Sequence, residues 1–375
     1  MAQSVGGILR EDIHAERDQP PFDRVSMDGV ALDSTAAHQG HRSFTIEGVQ
    51  AAGGAPLRLK DGTGCIEVMT GAVLPEDCDA VVPYEQLALE GSSVTLNEGG
   101  GIEAWQNIHR RASDARQGSL LLKSGTRLNA PDVAIAAGAG FARVQVSVQP
   151  RVLVISTGDE LVDPGTPILP HQVRRSNAYG VTAALRRRGL LHVTDDHVRD
   201  DAGQMLARLQ QHLATHDVLI LSGGVSMGKF DLVPQTLTRL GVREVFHKVE
   251  QRPGKPLWFG VTADGRLVFG LPGNPVSTLV CLARYVAPAL NAAMGESALE
   301  SRRIALKVPH TVANRLTHFI PVRVEADAEG RDWAVPRPTN GSGDFISLAG
   351  TDGFVELSPG PATWPAGFVA PFYRW

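Results

Sequence analysis

Only three of the 375 residues are cysteine, Cys65, Cys78 and Cys281, and none belongs to a C-x-x-C pair. That spacing argues against a cysteine-based zinc site and against a disulfide framework. No apolar run approaches the ~18–20 residues of a membrane span. Positive charge is not in surplus: 36 Lys and Arg stand against 40 Asp and Glu, a formal charge of −4. A sequence-independent grip on nucleic acid needs a basic surface, so that class is disfavoured. A local basic pocket for a small anion is not. The twelve histidines show no H-E-x-x-H spacing, and no G-x-S-x-G nucleophile elbow occurs. The opening residues, MAQSVGGILREDIHAERD, carry charge too early for a signal peptide, and the expectation is a soluble cytoplasmic protein.

What is present fits a globular enzyme. Hydrophobic residues make up 43% and charged residues 20%, a soluble balance, and the length calls for two to four domains. Forty Gly and 24 Pro imply many tight turns without reaching the level of disorder.

Residues 40–100 read as β-rich. Short apolar runs at 44–49, 65–69, 80–83 and 94–96 alternate with Gly-Gly and Gly-Ser turns. Residues 151–290 behave differently. The run RVLVIST after Pro150 reads as a buried parallel strand. A helix follows at 177–188, with Val181, Ala184 and Leu185 on one face. A short strand at 192–198 precedes a helical stripe of Ala202, Leu206, Leu209 and Leu213. DVLILSGG is a second buried strand, and 231–240 a short helix. Strands near 244–249, 257–261 and 266–271 follow, the last two joined at Ala263-Asp264-Gly265. An apolar helix is expected at 276–290. Alternating strands and helices predict a doubly wound α/β domain. From about residue 300 the pattern returns to β. Ile320, Val322, Val324 and Ala326 alternate in a half-buried strand, as in a small barrel or sandwich.

In an open parallel sheet, ligands bind beyond the C-terminal strand ends. Three polar, glycine-containing loops leave such ends. They are Ser156-Thr157-Gly158-Asp159-Glu160, Ser222-Gly223-Gly224-Val225-Ser226-Met227-Gly228 and Leu271-Pro272-Gly273-Asn274-Pro275-Val276-Ser277. Backbone N–H groups of such loops and of helix N-termini suit a phosphorylated ligand. Glu160, Asp200, Asp201 and Asp231 gather around them, a composition suited to Mg²⁺ with phosphate oxygens. Asp200 or Asp201 could equally cap the helix that follows. Lys248, Arg252 and Lys255 put three cations in eight residues, stiffened by Pro253-Gly254 and Pro256, a compact anion clamp. A further acid, Asp28, sits in PPFDRVSMDG near the N-terminus.

Taken together these segments resemble the molybdopterin molybdenumtransferases, the MoeA family that includes the E domain of gephyrin. The matching segments are PPFDRVSMDGVAL, MTGAVLPEDCDAVVPYEQ, NIHRRASDARQG, VLVISTGDELV, RSNAYG, RDD, LILSGGVSMGKFD, RPGKP and GLPGNPVS, in the family's order, over about residues 8–290. GSGDFISLAGTDGFVELSPG looks like the family's last domain. The related adenylyltransferases usually read GGTG where this chain reads Gly223-Gly224-Val225-Ser226.

The resemblance implies a MoaB/MogA-like molybdopterin-binding α/β domain at 151–297. It implies an inserted β-rich domain at 23–113, a linking domain from 1–22 and 114–150, and a C-terminal β-barrel at 298–375. It implies a homodimer that uses adenylylated molybdopterin, molybdate and Mg²⁺ and releases AMP, with a molybdopterin adenylyltransferase and molybdoenzymes as partner proteins. The family's acids fall on Asp28, Asp114, Glu160, Asp200 and Asp231, the last three expected to hold Mg²⁺. Thr70, Gly158, Ser222, Gly223, Gly224, Ser226, Lys248, Arg252, Lys255, Pro272, Asn274, Pro275, Ser277 and Ser342 fall on substrate-binding positions. Lys255, Ser277 and Ser342 belong to the molybdate region. The chain departs from the family where an arginine is His109, a lysine is Arg252 and another arginine falls on Pro321, with Arg323 two residues along. It also starts about where the family's usual N-terminal helix would have ended. These departures keep a second expectation open, a carrier homologue that holds the pterin without inserting metal. Another nucleotide-handling enzyme on the same α/β domain is a third, which the two β modules argue against.

Overall fold

The computed structural model describes residues 1–98, 101–225, 232–298, 301–312, 316–360 and 363–375. Ser226 and Asp231 lie outside the described residues. The chain forms two compact units. One holds residues 1–5 and 9–145, the other residues 6–8 and 146–375.

The first unit is built on a six-stranded mixed sheet. Its order is Ala80–Pro83, Gly29–Leu32, Gly64–Val68, Ser43–Gln50, Ser93–Leu96 and Leu87–Glu90. The expected runs are all strands; Gly29–Leu32 joins them although it lies outside the 40–100 block. Gly29 is there for space, because a Cβ would run into the Val82 carbonyl of the neighbouring strand. The sheet buries apolar residues on both faces, with Val30, Phe44, Val82 and Val94 in one cluster and Ala31, Ile66, Val68 and Val81 in another. A third cluster joins Leu9, Ile13 and Leu122 to the helix Ala130–Gly138. That helix is capped by its own flanking residues. Asn129 accepts from Asp132 N–H, and the Asp132 carboxylate accepts from Asn129 N–H, a reciprocal cap.

The second unit contains the doubly wound sheet. Its order is Val193–Val198, Val152–Thr157, Val218–Ser222, Leu267–Leu271, Trp258–Val261 and Arg243–His247. The first four strands are parallel, and Trp258–Val261 runs antiparallel to both its neighbours, Leu267–Leu271 and Arg243–His247. Helices cover both faces. Ser176–Arg187 and the helical run from Pro275 pack on one, and Ala202–Thr215 with Leu232–Arg239 on the other. Val154 and Ile220 point to the first core and Leu153, Ile155, Leu219 and Leu221 to the second, the period-two alternation of strands buried on both sides.

Two expectations need correction. The buried stripe of Ala202–Thr215 is Met205, Leu209 and His212, while Ala202 is exposed and Leu206 half-buried. A histidine can take a core position there because its Nε2 lies 2.7 Å from Asp196 Oδ2, which also accepts from Arg208 at 2.6 Å. The apolar helix at 276–290 is not uniform. Pro275–Cys281 is α-helical, Leu282–Val286 is a π-helical turn, and Ala287–Ala293 is α-helical again. By length and composition, this Pro275–Ala293 run could cross a membrane. Its Val276, Val280, Leu282, Val286 and Leu290 are packed inside the unit, as in a core helix.

The C-terminal strands Thr317–Ala326, Asp332–Pro336, Arg303–Leu306, Val369–Arg374 and Gly353–Leu357 pair in that order, and the last pairs back to the first. The result is a closed five-stranded barrel around Leu306, Val322, Val355 and Phe372. Phe319 faces the other way and packs with Phe354 on Val276, Val280 and Ala283 of the core helix.

Candidate active site

The parallel strands of the second unit end at Thr157, Ser222 and Leu271, and the three glycine-containing loops wall a cavity of about 840 Å³. That is room for a nucleotide-sized ligand. Two of the loops approach so closely that only glycine fits. Gly223 has φ +103°, and a Cβ there would sit 2.8 Å from both the carbonyl and the hydroxyl oxygen of Thr157. The Gly223 N–H donates to Leu271 O at 3.1 Å. Asn177, in the first turn of Ser176–Arg187, ties the other pair together. Its Nδ2 donates to Ser222 Oγ at 2.8 Å and to Gly273 O at 2.7 Å. The loop after Leu271 is held from within by Thr278 Oγ1 donating to Pro272 O (2.6 Å). From the C-terminal region, Asn274 Nδ2 donates to Ser342 Oγ at 2.7 Å. The Val276 N–H donates to the Ser342 carbonyl at 3.1 Å. Pro272, Asn274, Pro275 and Ser342 are therefore one assembly, although 68 residues separate Asn274 from Ser342.

Gly158, Ser222, Gly223 and Gly224 line the cavity, as do the carboxylates of Glu160 and Asp200. The Glu160 side chain lies over Gly158, where a Cβ would be 2.5 Å from Oε2. His197 Nε2 donates to the Gly158 carbonyl at 2.7 Å and fixes that turn against the neighbouring strand. The capping alternative is settled for the other acid. Asp201 is the N-cap of Ala202–Thr215, accepting from Gln204 N–H, which leaves Asp200 facing the cavity. Among the described residues no group of three or more His, Cys, Asp or Glu could hold a metal. The three cysteines are buried and unpaired.

Several lining residues were not among the expected substrate-binding positions. Ser156 and Thr157 are buried, and their hydroxyls find no hydrogen-bond partner among the described residues. A buried unpaired hydroxyl is costly, which marks this wall as prepared for a polar ligand. Arg175 is also buried. Its Nε donates to Asp163 and its Nη1 to Asp195, both at 2.7 Å. Burial opposes the guanidinium charge, but these two carboxylates outweigh it and keep Arg175 charged above its ordinary range. Arg174 and the exposed ring of Phe345 complete the rim. Arg175 and Asn177 lie in the segment RSNAYG; nothing local distinguished Arg174 or Phe345.

The cation cluster lies on a turn outside the lining. Lys248, Arg252 and Lys255 are exposed and form no ion pair with described residues, while Pro256 borders the cavity. Ser277 is buried at 3% exposure and does not border it. Pro321 is buried in its barrel strand, and Arg323 is exposed with Nε 3.9 Å from Glu325.

The first unit holds the remaining acids. Asp28 Oδ1 accepts from the Thr70 backbone N–H (2.6 Å) and hydroxyl (2.8 Å), which hold its carboxyl below the usual range and ionised at neutral pH. Asp114 lies 2.7 Å from His109 Nε2, and Arg24 Nη2 lies 3.0 Å from His109 Nδ1 across the paired strands Arg24–Val25 and Ile108–His109. The arginine must donate to Nδ1, so Nε2 carries the ring proton and donates to Asp114. His109 thereby links Arg24 to Asp114.

Comparison with known proteins places this geometry. The MoeA N-terminal region (domain I and II) matches residues 1–140, a probable molybdopterin binding domain matches 153–292, and the MoeA C-terminal region (domain IV) matches 303–375. A molybdopterin molybdenumtransferase from Synechocystis is 43% identical over 99% of this chain and 93% of its own. One from Staphylococcus epidermidis is 31% identical over 98% and 88%. A solved molybdopterin biosynthesis MoeA protein from Pyrococcus horikoshii superposes over the whole chain and 92% of its own. Its TM-score is 0.78 at 29% identity. Matched over its full length in sequence and in fold, the chain belongs to the molybdopterin molybdenumtransferase family.

Proposed function

We propose that the protein inserts molybdate into adenylylated molybdopterin, yielding molybdenum cofactor and AMP. The observation that carries this reading is the cavity beyond the parallel strand ends, which combines three glycine-containing loops, two buried hydroxyls with no partner among the described residues, and two carboxylates. Gly224 and Gly273 present no side chain, so a phosphate can approach the loop backbone closely there. Ser156 and Thr157 supply hydroxyls, and Arg174 and Arg175 a positive wall. Glu160 and Asp200, with Asp231, would hold Mg²⁺. The donor set fits, since that ion takes one or two carboxylates and completes its shell with phosphate oxygens and water. Bound there, it would neutralise phosphate charge as the phosphoanhydride is cleaved. Arg252 and Lys255 attract molybdate from an exposed turn, and Asn274 with Ser342 shapes the edge nearest the C-terminal barrel. Asp28, oriented by Thr70, and Asp114, oriented by His109, are the catalytic acids of the first unit in this reading.

The same reading carries the four-domain division with boundaries near 23, 114, 151 and 298, a cytoplasmic homodimer, and passage of pterin between partner enzymes. The six-stranded sheet and the closed barrel support the division. Light scattering at micromolar concentration tests the dimer; a mass of 40 kDa, that of one chain, sinks it. The function is tested by mixing protein with adenylylated molybdopterin and Mg²⁺, then adding molybdate. Release of AMP that depends on molybdate supports insertion. Tight binding without such release favours the carrier.

A further inference from the structure

The turn that carries Arg252 and Lys255 rests on a buried polar cluster that the proposed reaction leaves unused. Gln251 is 1% exposed. Its Nε2 donates to the Pro253 carbonyl at 3.1 Å and lies 3.5 Å from Cys281 Sγ. Its Oε1 accepts from the Tyr285 hydroxyl. The amide orientation is fixed by these partners, because a carbonyl oxygen can only face a donor and the Tyr285 hydroxyl has one to give. Cys281 Sγ in turn reaches the Gly254 carbonyl at 3.7 Å. Burial pushes both the Cys281 thiol and the Tyr285 hydroxyl up to about 12, so both remain protonated donors.

The turn is seated directly on this cluster. Gly254 has φ +98°, and a Cβ on it would lie 2.5 Å from Gln251 Nε2 and 2.7 Å from Cys281 Sγ. Backbone bonds close the turn's base: Val249 N–H to Lys255 O at 2.9 Å, and Leu257 N–H to Gly254 O at 3.3 Å. Its flank is fixed too. Gln251–Arg252 pairs in parallel with Thr317 and His318 of the barrel. Cys281 ends the α-helical stretch Pro275–Cys281, and Tyr285, four residues on, sits within the π-helical turn Leu282–Val286. Such turns mark places where a helix is adjusted to hold something.

We infer that the buried Gln251–Tyr285–Cys281 cluster is the positioning device for the Arg252 and Lys255 cations, holding the Pro253-Gly254 carbonyls so that both side chains leave the turn in a fixed direction. The inference rests on the reading of that turn as the molybdate clamp. Exposed Arg and Lys side chains are intrinsically mobile, and a small dianion is bound well only by donors whose backbone is already fixed. The cluster fixes the backbone without touching the ligand.

The test separates positioning from stability. Gln251→Met leaves the Tyr285 hydroxyl buried without its acceptor, and Tyr285→Phe leaves Gln251 Oε1 without its donor, so each single variant should melt lower. The double variant Gln251→Met/Tyr285→Phe removes both polar partners and should recover most of the melting temperature. It still lacks the bond to the Pro253 carbonyl. Its KM for molybdate should therefore stay about 3- to 10-fold above wild type, the worth of one hydrogen bond, with the affinity for adenylylated molybdopterin unchanged. Hydrogen exchange of residues 250–256 should be faster in the double variant than in wild type at equal melting temperature. A double variant that recovers melting, exchange and KM together overturns the inference. A turn that loosens while KM stays at the wild-type value is read beside Lys255→Ala. If that variant raises KM, the inference is wrong; if it does not, the clamp reading is wrong instead.

Discussion

Replacing Asn177 with alanine removes the strap between two of the three cavity loops, and its consequences can be worked out bond by bond. The side chain donates at 2.8 Å to Ser222 Oγ and at 2.7 Å to Gly273 O. Two neutral hydrogen bonds contribute about 1–3 kcal/mol together. For a unit of some 230 residues that amounts to a fall in Tm of about 2–12 °C. Both anchors are on the cavity wall, so loosening them should also weaken adenylylated molybdopterin by roughly tenfold, about 1.4 kcal/mol. Asn177→Asp sharpens the test. It is nearly isosteric, cannot donate, and adds a negative charge to a wall already holding Glu160 and Asp200. It should cost stability much as alanine does, and ligand affinity distinctly more. Differential scanning calorimetry with ligand titration reads both quantities. An alanine variant that melts and binds like wild type refutes the strap. An aspartate variant that binds no worse than alanine refutes the placement of the anionic ligand against this wall.

Three further outcomes are expected. Gly223→Ala should cost about 1–3 kcal/mol from forced φ and close contact, and clearly more than Gly241→Ala, whose φ is +79° with nothing within 4 Å of the added Cβ; equal denaturant midpoints would contradict the close approach to Thr157. Lys255→Ala should raise the molybdate requirement by one charge-assisted contact, about 1.5–3 kcal/mol or 10- to 150-fold, and leave pterin-nucleotide affinity in place; an equal shift in both would make the turn a phosphate site. Hydrogen bonding to Arg151 lowers the Asp217 carboxyl from 3.8 to about 2. The lowered value means that the pair's stabilisation is fully present above pH 3.8 and is lost as the pH falls through about 2. The pair is half exposed, so Asp217→Asn should cost no more than about 1 kcal/mol at pH 7, and the difference from wild type should vanish near pH 2 in acid-unfolding curves.

The parallel core was legible because strands buried on both faces must be continuously apolar, and residues 152–155 and 218–221 are. The glycine loops were legible because chain reversal at a strand end demands them. What the sequence hid were arrangements made by distant partners. His212 was not in the expected stripe; Asp196 supplies its partner and lets it take a buried position, which shifts the helix's buried stripe by a fraction of a turn. Asn177 and Arg175 stood within a recognisable segment, but their roles depend on Gly273 and Asp163, which no local pattern links to them. Ser342 was placed near the site by resemblance; its bond to Asn274 gives that placement a physical basis. Gln251 carries no local signal, and only the packing of Tyr285 and Cys281 against it shows that it is buried. The alternation in Thr317–Ala326 was visible, whereas closure of the barrel by its pairing with Gly353–Leu357 was not, since ring closure is a property of the whole sheet.

The central claim is that one cavity in the second unit binds the adenylylated pterin and that molybdate triggers its cleavage. A single-turnover experiment with purified protein, adenylylated molybdopterin and Mg²⁺, sampled for AMP before and after molybdate is added, tests it most directly. The account predicts little AMP before molybdate and close to one equivalent per occupied site afterwards, with Glu160→Gln and Asp200→Asn slowing release. AMP release at the same rate without molybdate, or none with it, would contradict the account.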